Sequence, residues 1–144
     1  MANVLVIHGP NLNLLGEREK EIYGEADLVQ INSEIKKKAL GLGHQIEAFQ
    51  SNDEGEIVTQ IQKAAENYKA IIINPAAFTH YSIAIRDAVA AIKIPVIEVH
   101  LSNIYAREEF RQKSIISAVA SGVISGFGSQ SYLLALEAVN SLIE

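Results

Sequence analysis

The chain has 144 residues, a formal net charge of −5 and no cysteine. That length suits one domain, residues 1–144, with a core that needs no staples, and the missing thiols exclude disulfides, thiolate nucleophiles and Cys-ligated metals. The acidic balance argues against a nucleic-acid partner, no apolar run reaches the ~20 residues that span a bilayer, and no leader pattern opens the chain, so a cytoplasmic location is expected.

Strand and helix patterns alternate along the sequence. Residues 4–7 are an apolar run that reads as a buried strand, broken by Gly9 and Pro10. Residues 8–24 then form a long loop. It mixes apolar anchors with the paired amides Asn11 and Asn13, followed by a charged segment between Gly16 and Gly24. Loops longer than ~12 residues are usually functional or disordered, so this one is expected to be an active-site loop with a mobile lid. Leu28, Ile31, Ile35, Ala39 and Leu42 recur at helical spacing, and Gly41 and Gly43 stop the helix. Residues 45–49 alternate polar and apolar, as an edge strand does. Ile57, Ile61 and Ala64 mark a second helix behind the cap signal Asn52-Asp53. Residues 70–73 are wholly apolar and end at Asn74-Pro75. A third helix is predicted over 82–92, a fourth strand over 94–99, a short polar helix over 107–113, a fifth strand over 122–125 and a last helix over 132–143. Five strands with intervening helices imply right-handed crossovers, a parallel sheet and an α/β fold of the flavodoxin-like three-layer α/β/α kind.

Such sheets bind ligands beyond the carboxyl ends of their strands. His8 and Asn11, Gln50-Ser51-Asn52, Asn74 and His80, Glu98 and His100 with Leu101-Ser102, and Ser125 all fall at that edge, whereas His44 lies at the opposite one. One polar residue at a strand end is commonly a turn residue; a whole rim of them points to a site. The lysines sit mostly on helix faces. Of the arginines, Arg18 lies in the opening loop, Arg86 precedes Asp87, and Arg107 and Arg111 follow the fourth strand. Guanidinium groups gathered in an acidic protein suit a small anionic ligand such as a carboxylate. No lysine falls in a predicted strand or at its carboxyl end, which disfavours imine chemistry. His80 and His100 have no third partner at ligand spacing, which disfavours a metal. From the residues alone, Tyr23 reads equally as a loop anchor or a base, and Arg107 equally as a lid contact or half of a salt bridge. Arg86-Asp87 reads as a surface pair.

The ordered motifs Gly9-Pro10-Asn11-Leu12-Asn13-Leu14-Leu15-Gly16, Arg18, Tyr23-Gly24, Phe49-Gln50-Ser51-Asn52, Ile73-Asn74-Pro75, Thr79-His80, Arg86-Asp87, Glu98-Val99-His100-Leu101-Ser102-Asn103 and Arg107 to Arg111 resemble type II 3-dehydroquinate dehydratase over nearly the whole chain. One departure is Ala76, where many members carry glycine. The resemblance implies anti elimination of water from 3-dehydroquinate through an enol or enolate, without cofactor, metal or imine, in the shikimate or quinate pathway. It implies Tyr23 as general base. A free phenol titrates near pH ~10, so Arg18 is expected as the positive neighbour that favours tyrosinate. It implies His100 as general acid, with Glu98 orienting its ring, and Asn11 holding a water or the enolate oxygen. Asn74, His80, Leu101, Ser102 and Arg111 would bind the substrate, with Arg107 supporting the lid. Asp87 would reach a neighbouring subunit's site, within trimers that assemble as a homododecamer.

Of two other flavodoxin-like readings, the first fails on the residues and the second is poorly supported by them. A phosphoacceptor domain needs acidic residues where this chain has Asn11 and Asn74. A flavin carrier needs a hydroxyl-rich phosphate cradle after the first strand, which is missing.

Overall fold

The computed structural model describes residues 2–143. Its strands are β1 (Ala2–His8), β2 (His44–Gln50), β3 (Ala70–Asn74), β4 (Val96–His100) and β5 (Gly122–Ser125). They form one all-parallel sheet in the order β2-β1-β3-β4-β5, the flavodoxin-like order expected from the alternating patterns. The helices are α1 (Lys20–Tyr23), α2 (Leu28–Gly41), α3 (Glu54–Asn67), α4 (Ile83–Ala91) and α5 (Gln130–Ile143). β2 lies at an edge, as its alternation predicts.

Caps set where the helices begin. Asp27 and Gln30 form a reciprocal capping box at the start of α2, an arrangement whose cap contributes about 1 kcal/mol. The Asp53 carboxylate accepts from the amides of Gly55 and Glu56 at α3, and the Ser82 hydroxyl accepts from the amide of Ile85 at α4. α2 stops at Leu42, where Gly43 turns through φ 83°.

Strand alternation then divides the core in two. Val4, Val6, Ala70, Ile72, Ile97 and Val99 pack under α2 and α5. Leu5, Ile7, Ile71, Ile73 and Val96 pack under α3 and α4. Every residue of β3 is buried, so truncating one of its isoleucines to Ala would cost about 2–5 kcal/mol. The same alternation carries on past the apolar residues. It turns His8 and Asn74, which are register partners, toward α2 and α5, and turns Glu98 and His100 toward the other layer.

Two local expectations need correcting. The polar helix expected over 107–113 is absent; two 3₁₀ turns, Ile104–Ala106 and Glu109–Arg111, flank an extended Arg107. That segment has no apolar stripe to bury, so packing does not sustain a longer helix. The opening loop has structure of its own: a 3₁₀ turn at Leu12–Leu14, anchored by buried Leu12 and Leu15, and the short α1. No helix among the described residues is long and apolar enough to cross a membrane.

Candidate active site

The carboxyl ends of β1, β3 and β4 open on one cavity. Close approach of the β1 and β3 loops shapes its floor. The Gly9 amide donates to the Asn74 carbonyl at 2.8 Å, and a Cβ on Gly9 would lie 2.6 Å from the Pro75 oxygen. Only glycine fits there. Asn11 follows in the left-handed region, at φ 68°, which asparagine tolerates better than most residues. Its amide donates to Asn52 Oδ1 at 3.0 Å, and Gln50 Nε2 donates to the Gly9 carbonyl at 3.2 Å. Gln50 and Asn52 thus brace the loop from outside; neither lines the cavity.

Tyr23 and Arg18 meet inside the cavity. Arg18 Nη2 donates to the Tyr23 hydroxyl at 3.3 Å, and the guanidinium lies 4.6 Å from the ring centre. Arg107 approaches the same ring at 5.1 Å. Its Nε is buried without a hydrogen bond, 3.9 Å from Glu108, so the ring contact and a long ion pair coexist. Arg111 also lines the cavity and donates to Glu108 at 2.8 Å. That bond, first among several effects, holds the Glu108 carboxyl below its usual range. Three of the chain's arginines therefore face one space, and no lysine lines it.

His100 faces the phenol's cavity from β4. Glu98, two residues back on the same face and wholly buried, accepts a hydrogen bond from His100 Nε2. The carboxylate also accepts from Thr79 Oγ1 at 2.8 Å and Ser117 Oγ at 2.7 Å, and Thr79 is 2.6 Å from Ser114. Burial pushes the Glu98 carboxyl up. The bonds from His100, Ser117 and Thr79 outweigh it and hold the group below the usual carboxylate range. A carboxylate only accepts, so Nε2 carries a proton and Nδ1 is left to deal with the cavity. His80 donates from Nδ1 to the Lys113 carbonyl at 2.8 Å, which fixes its ring at the cavity wall.

Asn11, Arg18, Tyr23, Asn74, His80, His100, Leu101, Ser102, Arg107 and Arg111 all line the cavity. Glu98 stands behind His100. Asp87 is exposed on α4 and does not line this chain's cavity, and Arg86 Nε donates to the Ile115 carbonyl at 3.0 Å. His8 and Ser125, counted at the rim from their strand-end positions, are not lining residues either; His8 is wholly buried. Sequence reasoning missed Thr79, Ser114 and Ser117 as the cradle of Glu98. The signal was there in part: a glutamate in an otherwise apolar strand must find donors. It also missed the hydroxyl of Tyr132 and the amide of Asn32, which meet His8.

A parallel sheet with an arginine-lined cavity, a phenol under guanidinium groups and a carboxylate-backed imidazole define an α/β enzyme suited to moving protons on a small anion. The chain matches the family described as "Dehydroquinase class II" over residues 2–140. It is 57% identical to "3-dehydroquinate dehydratase" of Caldanaerobacter subterraneus over 99% of this chain and 96% of that one. It is 56% identical to the protein of the same name in Caldicellulosiruptor bescii, over the full length of both. Among solved structures, the type II dehydroquinase from Propionibacterium acnes superposes with a TM-score of 0.95 at 41% identity, covering 98% of this chain and 97% of that one. The chain belongs to the class II dehydroquinase family.

Proposed function

We propose that the dehydration of 3-dehydroquinate to 3-dehydroshikimate, the shikimate-pathway step this family performs, runs here between Tyr23 and His100. The observation that carries the reading is their shared cavity: Tyr23 under two guanidinium groups, His100 on a buried carboxylate. The deprotonated Tyr23 oxygen removes a proton from the carbon beside the ketone. The electron pair left on carbon moves into an enolate, whose oxygen Asn11 stabilises directly or through a water. His100, protonated on both nitrogens, gives its Nδ1 proton to the departing hydroxyl. The enolate collapses to the conjugated enone and water leaves. Glu98 offsets the imidazolium charge and keeps Nδ1 aimed at the cavity. Proton exchange with solvent resets both groups. Neither a covalent imine nor a cofactor enters these steps.

Arg18 and Arg107 place positive charge where the phenolate needs it. Arg111, Asn74, His80, Leu101 and Ser102 bind the substrate's carboxylate and hydroxyls. Asp87 completes a neighbouring subunit's site in a homo-oligomer of trimers built into a dodecamer. In support, Ile83 is 64% exposed one helical turn before Asp87, and Tyr81 nearby is 62% exposed, an apolar face suited to a second copy. We place the enzyme in the cytoplasm, a reducing compartment with which a chain that has no cysteine is compatible.

The test is Tyr23→Phe, followed by the rise in ultraviolet absorbance as the enone forms. Loss of a general base lowers kcat by about 10²–10⁴-fold. The fold, read by circular dichroism, should persist. Near-normal turnover in the folded variant would remove Tyr23 from the base role.

A further inference from the structure

Asn74 is 3% exposed and lines the cavity from the end of β3. Its amide is held at both ends. Oδ1 accepts from the Ala76 amide at 3.1 Å, and Nδ2 donates to the Tyr132 hydroxyl at 3.1 Å. Tyr132, wholly buried at the start of α5, lies 2.9 Å from His8 Nδ1, and the two rings meet edge to face at 5.2 Å. His8 Nε2 lies 2.7 Å from Asn32 Oδ1 on α2. The hydrogen-bond directions have one consistent solution. The Ala76 N–H fixes which end of the Asn74 amide is oxygen, so the other end must donate to Tyr132. The phenol proton then goes to His8 Nδ1, and the neutral His8 donates from Nε2 to Asn32. These hydrogen bonds cross the α2/α5 layer of the sheet and include neither Tyr23 nor His100.

We propose that Tyr132, backed by His8 and Asn32, is a positioning group of the active site that sets the rotation of the Asn74 amide. The inference rests on Asn74 as a substrate-binding group. A terminal amide torsion is soft, and the amide of Asn74 has a choice: deeper into the layer, or out into the cavity. The Tyr132 oxygen decides it. Through Oδ1 the same rotation holds the turn at Ala76, whose φ of 52° is unfavourable for an L residue without a bond to retain it. Ala76 opens the 3₁₀ segment Ala76–His80, which delivers Thr79 to Glu98 and His80 to the cavity wall. One buried hydroxyl thus aligns a substrate-binding amide and steadies the segment that carries two more groups of the site.

The experiment is a double-mutant cycle on the intact oligomer with 3-dehydroquinate as substrate, using Tyr132→Phe, Asn74→Ala and the pair. Each single variant should lower kcat/KM by about 10-fold or more, chiefly through KM, as misplacement of a binding group does. The pair should be no worse than Asn74→Ala alone, because the phenol acts through the amide. Multiplying losses in the pair, or unchanged kinetics in Tyr132→Phe, would overturn the proposal. An unchanged kcat/KM in Asn74→Ala would instead reject Asn74 as a binding group, and the relay with it. Val139→Ala, an apolar truncation in the same helix, should lower the thermal midpoint and leave KM alone; a matching rise in KM would reduce Tyr132 to a structural residue. If Tyr132→Phe does not fold, Asn32→Ala replaces it in the cycle, and the same non-additivity with Asn74→Ala decides.

Discussion

Acidification should expose the state of His8. Burial, opposed only by the bond to Asn32, lowers its pKa from 6.5 to about 4. The folded chain therefore keeps His8 neutral over a range in which the unfolded chain protonates it. Between those two values the unfolded state binds more protons, so stability rises with pH there and falls as pH drops from 6.5 toward 4. Each pH unit is worth ~1.4 kcal/mol, so the full effect is about 3 kcal/mol, and about 2 kcal/mol of it is gone at about pH 5. Glu98 enters only at the acid end of this window, below about pH 5. Its carboxyl is held below the usual range, so its contribution is complete above the unfolded value of 4.5 and is lost as pH falls from there through the lower folded value. The other histidines are common to wild type and variant. Urea unfolding of wild type and His8→Gln at about pH 7.5 and about pH 5, at equal protomer concentration, isolates the effect. Wild type should lose about 2 kcal/mol more than the variant across that interval. Parallel losses would show that His8 is not held neutral, and the hydrogen-bond directions drawn through Tyr132 would have to be abandoned.

Three substitutions probe the site and its supports. Ala76→Gly relieves a left-handed backbone in an L residue and should raise stability by up to about 1 kcal/mol; a lower thermal midpoint would mean the turn does not strain alanine. Glu98→Gln puts an amide N–H₂ among three donors, from His100, Thr79 and Ser117, so it should cost about 1–3 kcal/mol of stability and lower kcat with little change in KM; an unchanged kcat would leave Glu98 without a part in catalysis. His100→Asn should slow dehydration more than solvent exchange of the hydrogen beside the ketone, followed by mass spectrometry or NMR. Equal slowing of both would argue against a separate acid on the leaving group.

The sheet was legible because its strands are unambiguous: residues 70–73 admit no reading but a buried strand, and Asn74-Pro75 marks the end. The cavity was legible because the fold dictates where strand ends converge, and the resemblance put names to the residues there. The segment after β4 was not. Arg107 and Arg111 have the spacing of one helix face, yet Arg107 is extended because its partner is the ring of Tyr23, more than eighty positions away in the chain. Local pattern cannot report a contact of that span. His8 failed for a different reason. Position at a strand end was read as position at the rim, although period-2 alternation from Val4 and Val6 already turns its side chain under the helices. Asn32 lies one turn after Leu28 on α2, so helical spacing alone turns it toward the sheet, a signal that went unread.

Alternation also explains how one edge serves two demands. The polar residues that end β1 and β3, His8 and Asn74, point into the α2/α5 layer and join through Tyr132 of α5 in a neutral chain that can hold a shape at neutral pH without a buried charge. The polar residues that end β4 point into the other layer and make a charged cradle, Glu98 with His100, closed by Thr79 and Ser117. A charge buried on both faces of one sheet would cost several kcal/mol on each. Here the cost is met once, beside the imidazole where charge has work to do, and each of the three hydroxyl and ring donors around Glu98 offsets part of it. Of the remaining charge at the site, Arg107 is largely buried against the Tyr23 ring, whereas Arg18 and Arg111 stay partly solvated, each 27% exposed. Their partners are solvent-exposed carboxylates, Glu19 for Arg18 and Glu108 for Arg111, so an anion entering the cavity competes with ion pairs that solvent weakens rather than with buried ones.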